Sequence, residues 1–557
     1  MALPTTLQRS RSAVVYVRAE TTAGQIDRPS GAKYPVVAGD AFGLTTVPAI
    51  AQAGNYTDTS EIGSELISVD RVLNYMDYAT FDLEFYAKPK GQVSGTALAT
   101  TSWTSNPNGT TATVAMDSTT GLAAGDTVAI TLTTAVSGLN ADWKVTSVVA
   151  DTSVTIATSV SGTVGDSGYV TKKTLTSPPE DVILSKLFGG VKYDSVASYT
   201  QGDDSGTNVT TDNKTVISYF LKNAVSTLSV HSLQETDTTN VQYYCGKGAL
   251  PTSWSVAMAK DGPLTMSVGF QASKVLYAGT ANIASYTDYD GSAMTLASGD
   301  AAGAQITIDS PKRYASGTAV AADAAWFESG DGATGHGAPF KIVSNDGTTV
   351  KKSGLEVSAI SGAVITTDET TASPAAAYAA NDLLVPDLPT PSCDTTTTID
   401  QRSVQAYITD EVTGSGMNWS TSANTELFHA DNALDVTSVS WDFDRGVSTP
   451  GLTEMTGESF PPASYVVNEP SISGSITILL RPKDFHFMSS LREEPRRSVG
   501  VRLGTVDGKI LEIGAAAVHM EVPSAAEADG ATSIDIPFTV IRGQDCNDAD
   551  KFFFRYR

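Results

Sequence analysis

One stretch limits what this chain can fold into more than any other. Ser471 to Pro495 reads as a strand of strict alternation, an Arg481-Pro482-Lys483 corner and a short amphipathic run. Ile472, Gly474, Ile476, Ile478 and Leu480 fall on one face, and Ser471, Ser473, Ser475 and Thr477 on the other. That two-residue period belongs to a half-buried β-strand. Proline cannot donate to a ladder, so Pro482 stops the strand. Phe485, Met488 and Leu491 then recur at helical spacing before Pro495, which predicts a helix over Asp484 to Glu494.

The same unit occurs earlier in the chain. Ala79, Phe81, Leu83, Phe85 and Ala87 alternate with Thr80, Asp82, Glu84 and Tyr86, and the strand ends in Lys88-Pro89-Lys90. Its helix is displaced to Ser177-Pro178-Pro179-Glu180, where Ser177 as N-cap, Pro178 at N1 and Glu180 at N3 form a capping box ahead of Val182, Ile183, Leu184, Leu187 and Phe188. Gly189-Gly190 ends that helix. Leu44 to Val47 and Val436 to Val439 stand at nearly the same offset upstream of the two strands, so the chain carries two copies of one β-rich unit, the first interrupted by an insertion.

A chain of 557 residues is too long for a single core and predicts three to four domains. Short Thr/Val/Ser strands with Gly and Asp turns dominate, so the fold class is mainly β: two β-sandwich barrels, each with one short helix, plus two small β-rich inserted modules. Residues 1–90 and 174–290 make the first barrel, with an N-terminal arm over 1–40. An immunoglobulin-like or small β module occupies 91–173, a second small module and linker 291–396, and the second barrel 397–557. The connection Asn55 to Asp70 reads as a long polar loop, and long loops in compact domains are usually functional. The terminal Phe552 to Arg557 is too aromatic for a solvated tail.

Charge and cysteines exclude several classes. The net charge is −25, from 61 acidic against 36 basic residues, which argues against a protein that grips nucleic acid or an anionic membrane. Cys245, Cys393 and Cys546 are odd in number and widely spaced, as in a protein made in a reducing cytosol. Met1 to Arg11 lacks the apolar core of a signal peptide, and no run is long enough to cross a bilayer.

Catalytic chemistry finds no foothold, and the expectation is a protein that is not an enzyme and takes no cofactor or metal. His231, His336, His429, His486 and His519 have no paired spacing. Ser329 to Gly337 is Gly-rich but lacks the Gly-Lys-Ser/Thr of a phosphate loop. Asp203-Asp204, Asp288 to Gly291 and Asp545 to Asp550 do not fit a calcium loop and read as turns. Arg496-Arg497 reads as a contact to a neighbouring subunit.

With the repeat laid out, the chain resembles the tail tube (major tail) proteins of long-tailed bacteriophages. The resemblance rests on Val14 to Gly24, the Tyr56 to Arg71 loop, the strand ending Lys88-Pro89-Lys90 and the closing hairpin Val518 to Arg542, and it covers both repeats. The two inserted modules depart from the single-barrel pattern. The resemblance implies a virion protein whose rings stack into a tube, the inner sheets joining into one barrel around the DNA channel. A two-barrel chain would fill such a ring as a trimer with pseudo-sixfold symmetry. About 24 strands at roughly 4.8 Å spacing and typical tilt close a barrel about 40 to 50 Å across, wide enough for a duplex. Implied partners are further copies of the chain, a tape-measure protein inside, and tail terminator and tail-tip proteins at the ends. Double-stranded DNA passes without specific binding, no membrane is involved, and assembly takes place in the host cytoplasm.

Alternation assigns the lining. If Phe81, Leu83, Phe85, Trp441 and Phe443 point into the core, then Asp82, Glu84, Asp442 and Asp444 point the other way, toward the channel. An acidic wall repels DNA, which a basic wall would hold through counterion release. The same acids would also keep a large assembly soluble, and both readings stay open. The long connections Tyr56 to Arg71 and Val447 to Ser464, with Ile62, Leu66, Phe460, Pro461 and Pro462, are assigned to the adjacent ring. The alternative function is a virion adhesin or decoration, or a tail-tip hub, whose β modules bind glycans.

Overall fold

The computed structural model of the chain describes residues 13–20, 23–24, 35–37, 48–60, 69–87, 92–105, 111–124, 126–132, 142–157, 163–164, 168–175, 178, 180–194, 216–222, 224, 226–235, 241–259, 262–281, 285–286, 294–298, 305–309, 340–355, 357–361, 364–367, 377–387, 399, 401–411, 427–428, 433–434, 436–448, 465–479, 496–504, 510–521, 524–528, 531–541 and 552–556.

The mainly β class is observed. The elements that position the site are, in chain order, β1 (Ala13–Ala19), β2 (Gly54–Ser60), β3 (Val69–Met76), β4 (Ala79–Tyr86), α1 (Asp181–Phe188), β5 (Gly189–Asp194), β6 (Val216–Leu221), β7 (Leu228–Glu235), β8 (Val241–Ala259) and β9 (Thr265–Ala272). The second half supplies β10 (Gln405–Asp410), β11 (Val436–Asp444), β12 (Ser471–Leu479), β13 (Arg497–Leu503), β14 (Leu511–Met520), β15 (Ser524–Ala528), β16 (Ala531–Val540) and β17 (Phe553–Tyr556).

Two rows of antiparallel strands run through both halves of the chain. The first has the order β4-β9-β8-β11-β12-β16-β15. The second has the order β5-β6-β17-β14-β13-β10. A third, smaller group places β1 on β7 and β7 on the N-terminal half of β8. Strand β8 is therefore shared: its first half belongs to this group and its second half to the first row. Separate barrels are expected from the sequence; the two halves instead share one core, and no circuit of pairings closes within the large sheet among the described residues.

That core lies between the rows. Trp254 of the first row meets Phe554 of the second with ring centroids 5.6 Å apart, and Trp441 meets Phe552 at 5.7 Å. Helix α1 inserts Phe188 among them, within 5.3 Å of Phe443 and Phe552. Each such ring contributes about 1.5–3 kcal/mol by leaving water, so the contact between halves is a core and not a seam. Gly474 interrupts the apolar series of β12 for a packing reason: a Cβ there would lie 2.6 Å from the Phe538 ring, which stacks edge-on against Trp441 at 4.8 Å.

The C-terminal strand joins the halves. β17 sits between β6 and β14, with Ile217 and Leu511 both opposite Tyr556. Its side chains are buried, and the Tyr556 hydroxyl donates to Glu180 Oε1 at 2.6 Å. This contact overturns the capping box: α1 begins at Asp181, its N-cap is Glu180 without a side-chain cap bond, and the carboxylate turns to Tyr556. The helix expected over Asp484 to Glu494 lies outside the described residues.

Arg445, at the end of β11, ties the halves a second time. Its guanidinium donates to the carbonyls of Lys186, Leu187 (2.5 Å) and Ala224, the first two at the C-terminal end of α1. Burial lowers its pKa to about 10, so it is still charged at neutral pH, and the helix end favours that charge.

Between β4 and α1 a separate seven-stranded sheet spans Gln92–Ser105 to Gly168–Leu175. Its pairing circuit closes, because Gln92–Ser105 pairs with both Gly168–Leu175 and Thr111–Met116. It has its own core of Val114, Val128, Ile130, Val154, Ile156 and Val170. Gln92 faces Leu175, so entry and exit are adjacent. Residues 294–387 contribute two three-stranded sheets.

Candidate channel face and assembly edges

Alternation in the first row gives it one apolar and one polar side. On β4 the even positions face out and Phe81, Leu83 and Phe85 face in; on β11 Trp441 and Phe443 are buried while Asp442 and Asp444 are exposed. Because the register is continuous across strands, the polar positions line up in ranks. One rank runs Asp82–Gly269–Ser253–Asp444–Ser471. The next runs Glu84–Ser267–Ser255–Asp442–Ser473–Thr539. With strands ~4.8 Å apart, Asp82 and Asp444 stand about 14 Å apart across three strand spacings.

The face is polar and built mostly from small residues. A depression of about 430 Å³ is bounded by Asp82, Ser253, Ser255, Ser267, Asp442, Asp444, Ser471 and Ser473. Gly269 makes it possible: a Cβ there would fall 2.3 Å from Ser253 Oγ and 3.1 Å from Asp82 Oδ1. Ser440 and Ser475 hydroxyls are 3.1 Å apart, and the Thr477 hydroxyl donates to Asp535 at 3.2 Å. Asp535 belongs to the same face and was not singled out in the sequence; its strand contains Pro537, which masks the alternation. No Lys or Arg occupies a described position on this face. Among the described residues no group of three or more His, Cys, Asp or Glu could hold a metal ion.

Among the described residues the row ends at β4 on one side; on the other, β16 is flanked by β15 along Ala531–Asp535 and by the end of β14 along Phe538–Val540, which joins this row to the second. The row's two ends along the strand direction differ. Asp444 and Ser471, which flank the 447–467 connection, lie at the same end as Ala79, which follows the β2–β3 hairpin. Tyr78 and Tyr465 rings pack there at 5.5 Å, and the Tyr465 hydroxyl donates to the carbonyls of Gly248 and Gln271 (3.0 Å).

The Asn55 to Asp70 stretch, read as a loop, is strand at both ends: 55–60 and 69–70 belong to the paired strands β2 and β3, with Asp58 opposite Arg71, and 61–68 lie outside the described residues. Ile62, Leu66, Phe460, Pro461 and Pro462 lie outside the described residues. Arg496 and Arg497, read as a contact to another subunit, pair within the chain: Arg496 with Glu411 at 3.9 Å and Arg497 with Asp410. His231 is buried with Nδ1 2.7 Å from the Tyr243 hydroxyl. No described helix is long and apolar enough to cross a membrane.

No family model matches the chain, and no curated protein matches it. Among solved structures, "Phage phi92 endosialidase" aligns with 48% of this chain and 41% of its own length, at 10% identity and a TM-score of 0.09. The chain thus spans less than half of that protein, and a score of this size establishes no shared fold.

Proposed function

We propose that this chain is the subunit of a virion tail tube, a structural protein that polymerises into stacked trimeric rings around a channel for DNA. The observation that carries the reading is the β8–β11 junction. It joins two equivalent half-rows, β4-β9-β8 and β12-β16-β15, into one polar face, with Ser255 opposite Asp442 and Ser253 opposite Asp444. In each half-row a hairpin pairs with the strand that precedes the Lys/Arg-Pro-Lys corner. The chain therefore contains its own template for a head-to-tail contact, and repetition of that contact between chains closes a ring.

The edges supply the means. β4 and, along Ala531–Asp535, β15 terminate the row, and joining them between copies removes the edges that this much β-structure otherwise exposes. Three copies of the seven described strands make 21. Asp82, Glu84, Asp442 and Asp444 then line the channel and repel DNA. The β2–β3 hairpin and the 447–467 connection, which leave the row at one end, contact the next ring; Ile62, Leu66, Phe460 and Pro461 are the residues assigned to it. Tape-measure, terminator and tail-tip proteins are the partners of such a tube.

Electron microscopy of the purified protein tests this reading. Three-chain rings with pseudo-sixfold symmetry, stacked into tubes, are the expected result. Six chains per ring, or isolated multimers bearing knobs as an adhesin would, overturn it.

A further inference from the structure

The second row consists of two pieces, β5-β6 and β14-β13-β10, and β17 lies between them, antiparallel to β6 on one side and to β14 on the other. β17 comes later in the chain than every element it touches. Its residues alternate between two surroundings. Phe552, just before it, Phe554 and Tyr556 belong to the core between the rows, whereas Phe553 and Arg555 face the other side, where Phe428 covers them with ring distances of 6.1 and 5.2 Å. The slot is also the floor of the β8–β11 junction, because Trp441 rests on Phe552 and Trp254 on Phe554.

Two buried acids line the slot. Glu512 of β14 pairs with Arg555, and Arg502, 3.7 Å from its other oxygen, is beyond hydrogen-bond reach. Glu180 accepts from the Tyr556 hydroxyl at 2.6 Å. If β17 were withdrawn, closing the gap would bury both carboxylates against apolar groups without these partners. That penalty keeps such a gap open and wetted, so it does not collapse into a false core. The same acids select what enters: an extended segment with aromatic residues at alternate positions and a cation in register with Glu512. Lys551 to Arg557 has that chemistry, with three basic residues, three phenylalanines, one tyrosine and no acid.

We propose that the gap between β6 and β14 is a strand-acceptor site for this cationic aromatic segment, filled after the two pieces have formed, and that filling it makes the chain competent to join other copies. The second clause rests on the tube reading and deepens it. Main-chain hydrogen bonds along two edges supply affinity, and the side-chain pattern supplies register. The link to assembly is mechanical. The continuous polar face depends on the β8–β11 junction, and that junction stands on Phe552 and Phe554. A chain with the slot unfilled has its half-rows without their shared floor, so ring contacts begin only from completed subunits.

Arg555→Glu in the full chain tests this by setting a second carboxylate against Glu512, which holds β17 out. The expected variant is soluble and forms no rings. Amides of β4, β9, β11 and β12 stay protected from hydrogen exchange, while those of β6 and β14 exchange at least about tenfold faster than in the parent. An excess of a synthetic peptide of residues 551–557 should restore that protection, shift tryptophan emission to the blue as Trp254 and Trp441 are covered, and bring back rings; the same peptide carrying Arg555→Glu should do none of these. Rings formed without peptide overturn the gating. A variant unfolded throughout, or a soluble one that ignores the peptide, overturns the acceptor site. If the parent itself forms no rings, the tube reading and the gating fall together, and exchange protection still decides the acceptor site.

Discussion

The two faces of the sandwich handle acids in opposite ways. In the second row Glu512 and Arg555 are both fully buried and paired, with Arg502 3.7 Å from the other Glu512 oxygen. Arg555 is further held between the rings of Phe553 and Phe428, at 4.4 and 5.2 Å. In the first row Asp82, Asp442 and Asp444 are exposed, with serines for neighbours and no cation on their face among the described residues. A buried charge has lost its hydration and must be matched, so it constrains the fold. An exposed acid keeps its water, costs little, and sets the field of the surface it stands on. Position relative to the core, and not the residue type, separates matched from exposed charge here.

The sharpest break of this contrast is Arg555→Met. It leaves buried Glu512 with Arg502 at 3.7 Å as its remaining cation and is expected to cost up to about 3–5 kcal/mol, read as a fall in the denaturant midpoint. Adding Glu512→Met should recover much of the loss, because an apolar pair of similar volume needs no partner. A single variant as stable as the parent would show that Glu512 reaches water.

Arg445→Met comes next. This buried cation is matched by carbonyls at the end of α1 and not by an acid, so its loss removes charge-assisted hydrogen bonds worth about 1.5–3 kcal/mol in the usual case. The expected drop is smaller than for Arg555→Met because no counter-charge is stranded. Equal drops would place the two arginines in one class and blur the distinction.

Glu20 stands between the extremes. Its buried carboxylate accepts from Thr227 Oγ1 (2.5 Å), Ser229 Oγ (2.9 Å), Gly24 N (2.7 Å) and Gly248 N (2.7 Å). Burial raises its pKa, and the four hydrogen bonds hold it down only in part. With the folded pKa above the unfolded value, the folded state holds the proton more tightly. This group's stabilising contribution is therefore full below the unfolded pKa and is lost as pH rises through the folded one. Glu20→Gln should flatten that slope of stability against pH while lowering overall stability, since an amide cannot accept all four bonds. An unchanged slope would mean that Glu20 does not titrate in the acidic range.

The sequence made the polar face of the first row legible because period-two alternation is local: Phe81 against Asp82 and Trp441 against Asp442 can be read within five residues. What stayed hidden depends on distant partners. Glu180 looks like a capping-box residue until Tyr556 arrives from the far end of the chain. The β2 sequence, Gly-Asn-Tyr-Thr-Asp-Thr-Ser, has the composition of a loop, and only its pairing with β3 makes it a strand. Likewise β8 runs through Gly248 and Pro251, residues that usually punctuate, because each half is held by different neighbours. The shared core follows from β17 slotting between β6 and β14, which no local pattern announces.

The smallest effect on stability, and the most telling for function, is expected from replacing Asp82, Glu84, Asp442 and Asp444 with lysine. Exposed or half-exposed positions should each change stability by no more than about 0.5 kcal/mol, so the variant folds and assembles. Its channel face, however, would change from repelling to attracting a polyanion. DNA ejection from assembled particles should slow at low salt and recover as salt screens the contacts. A matched variant carrying lysine at Asp117, Asp151, Asp309 and Asp346, exposed acids of the separate smaller sheets, makes the same change in net charge away from this face. If the acids serve only solubility, the two variants behave alike; if they line the channel, only the first slows ejection. Normal tubes with unchanged ejection at low salt would remove these four residues from the channel wall, and with them the functional half of the contrast between the two faces.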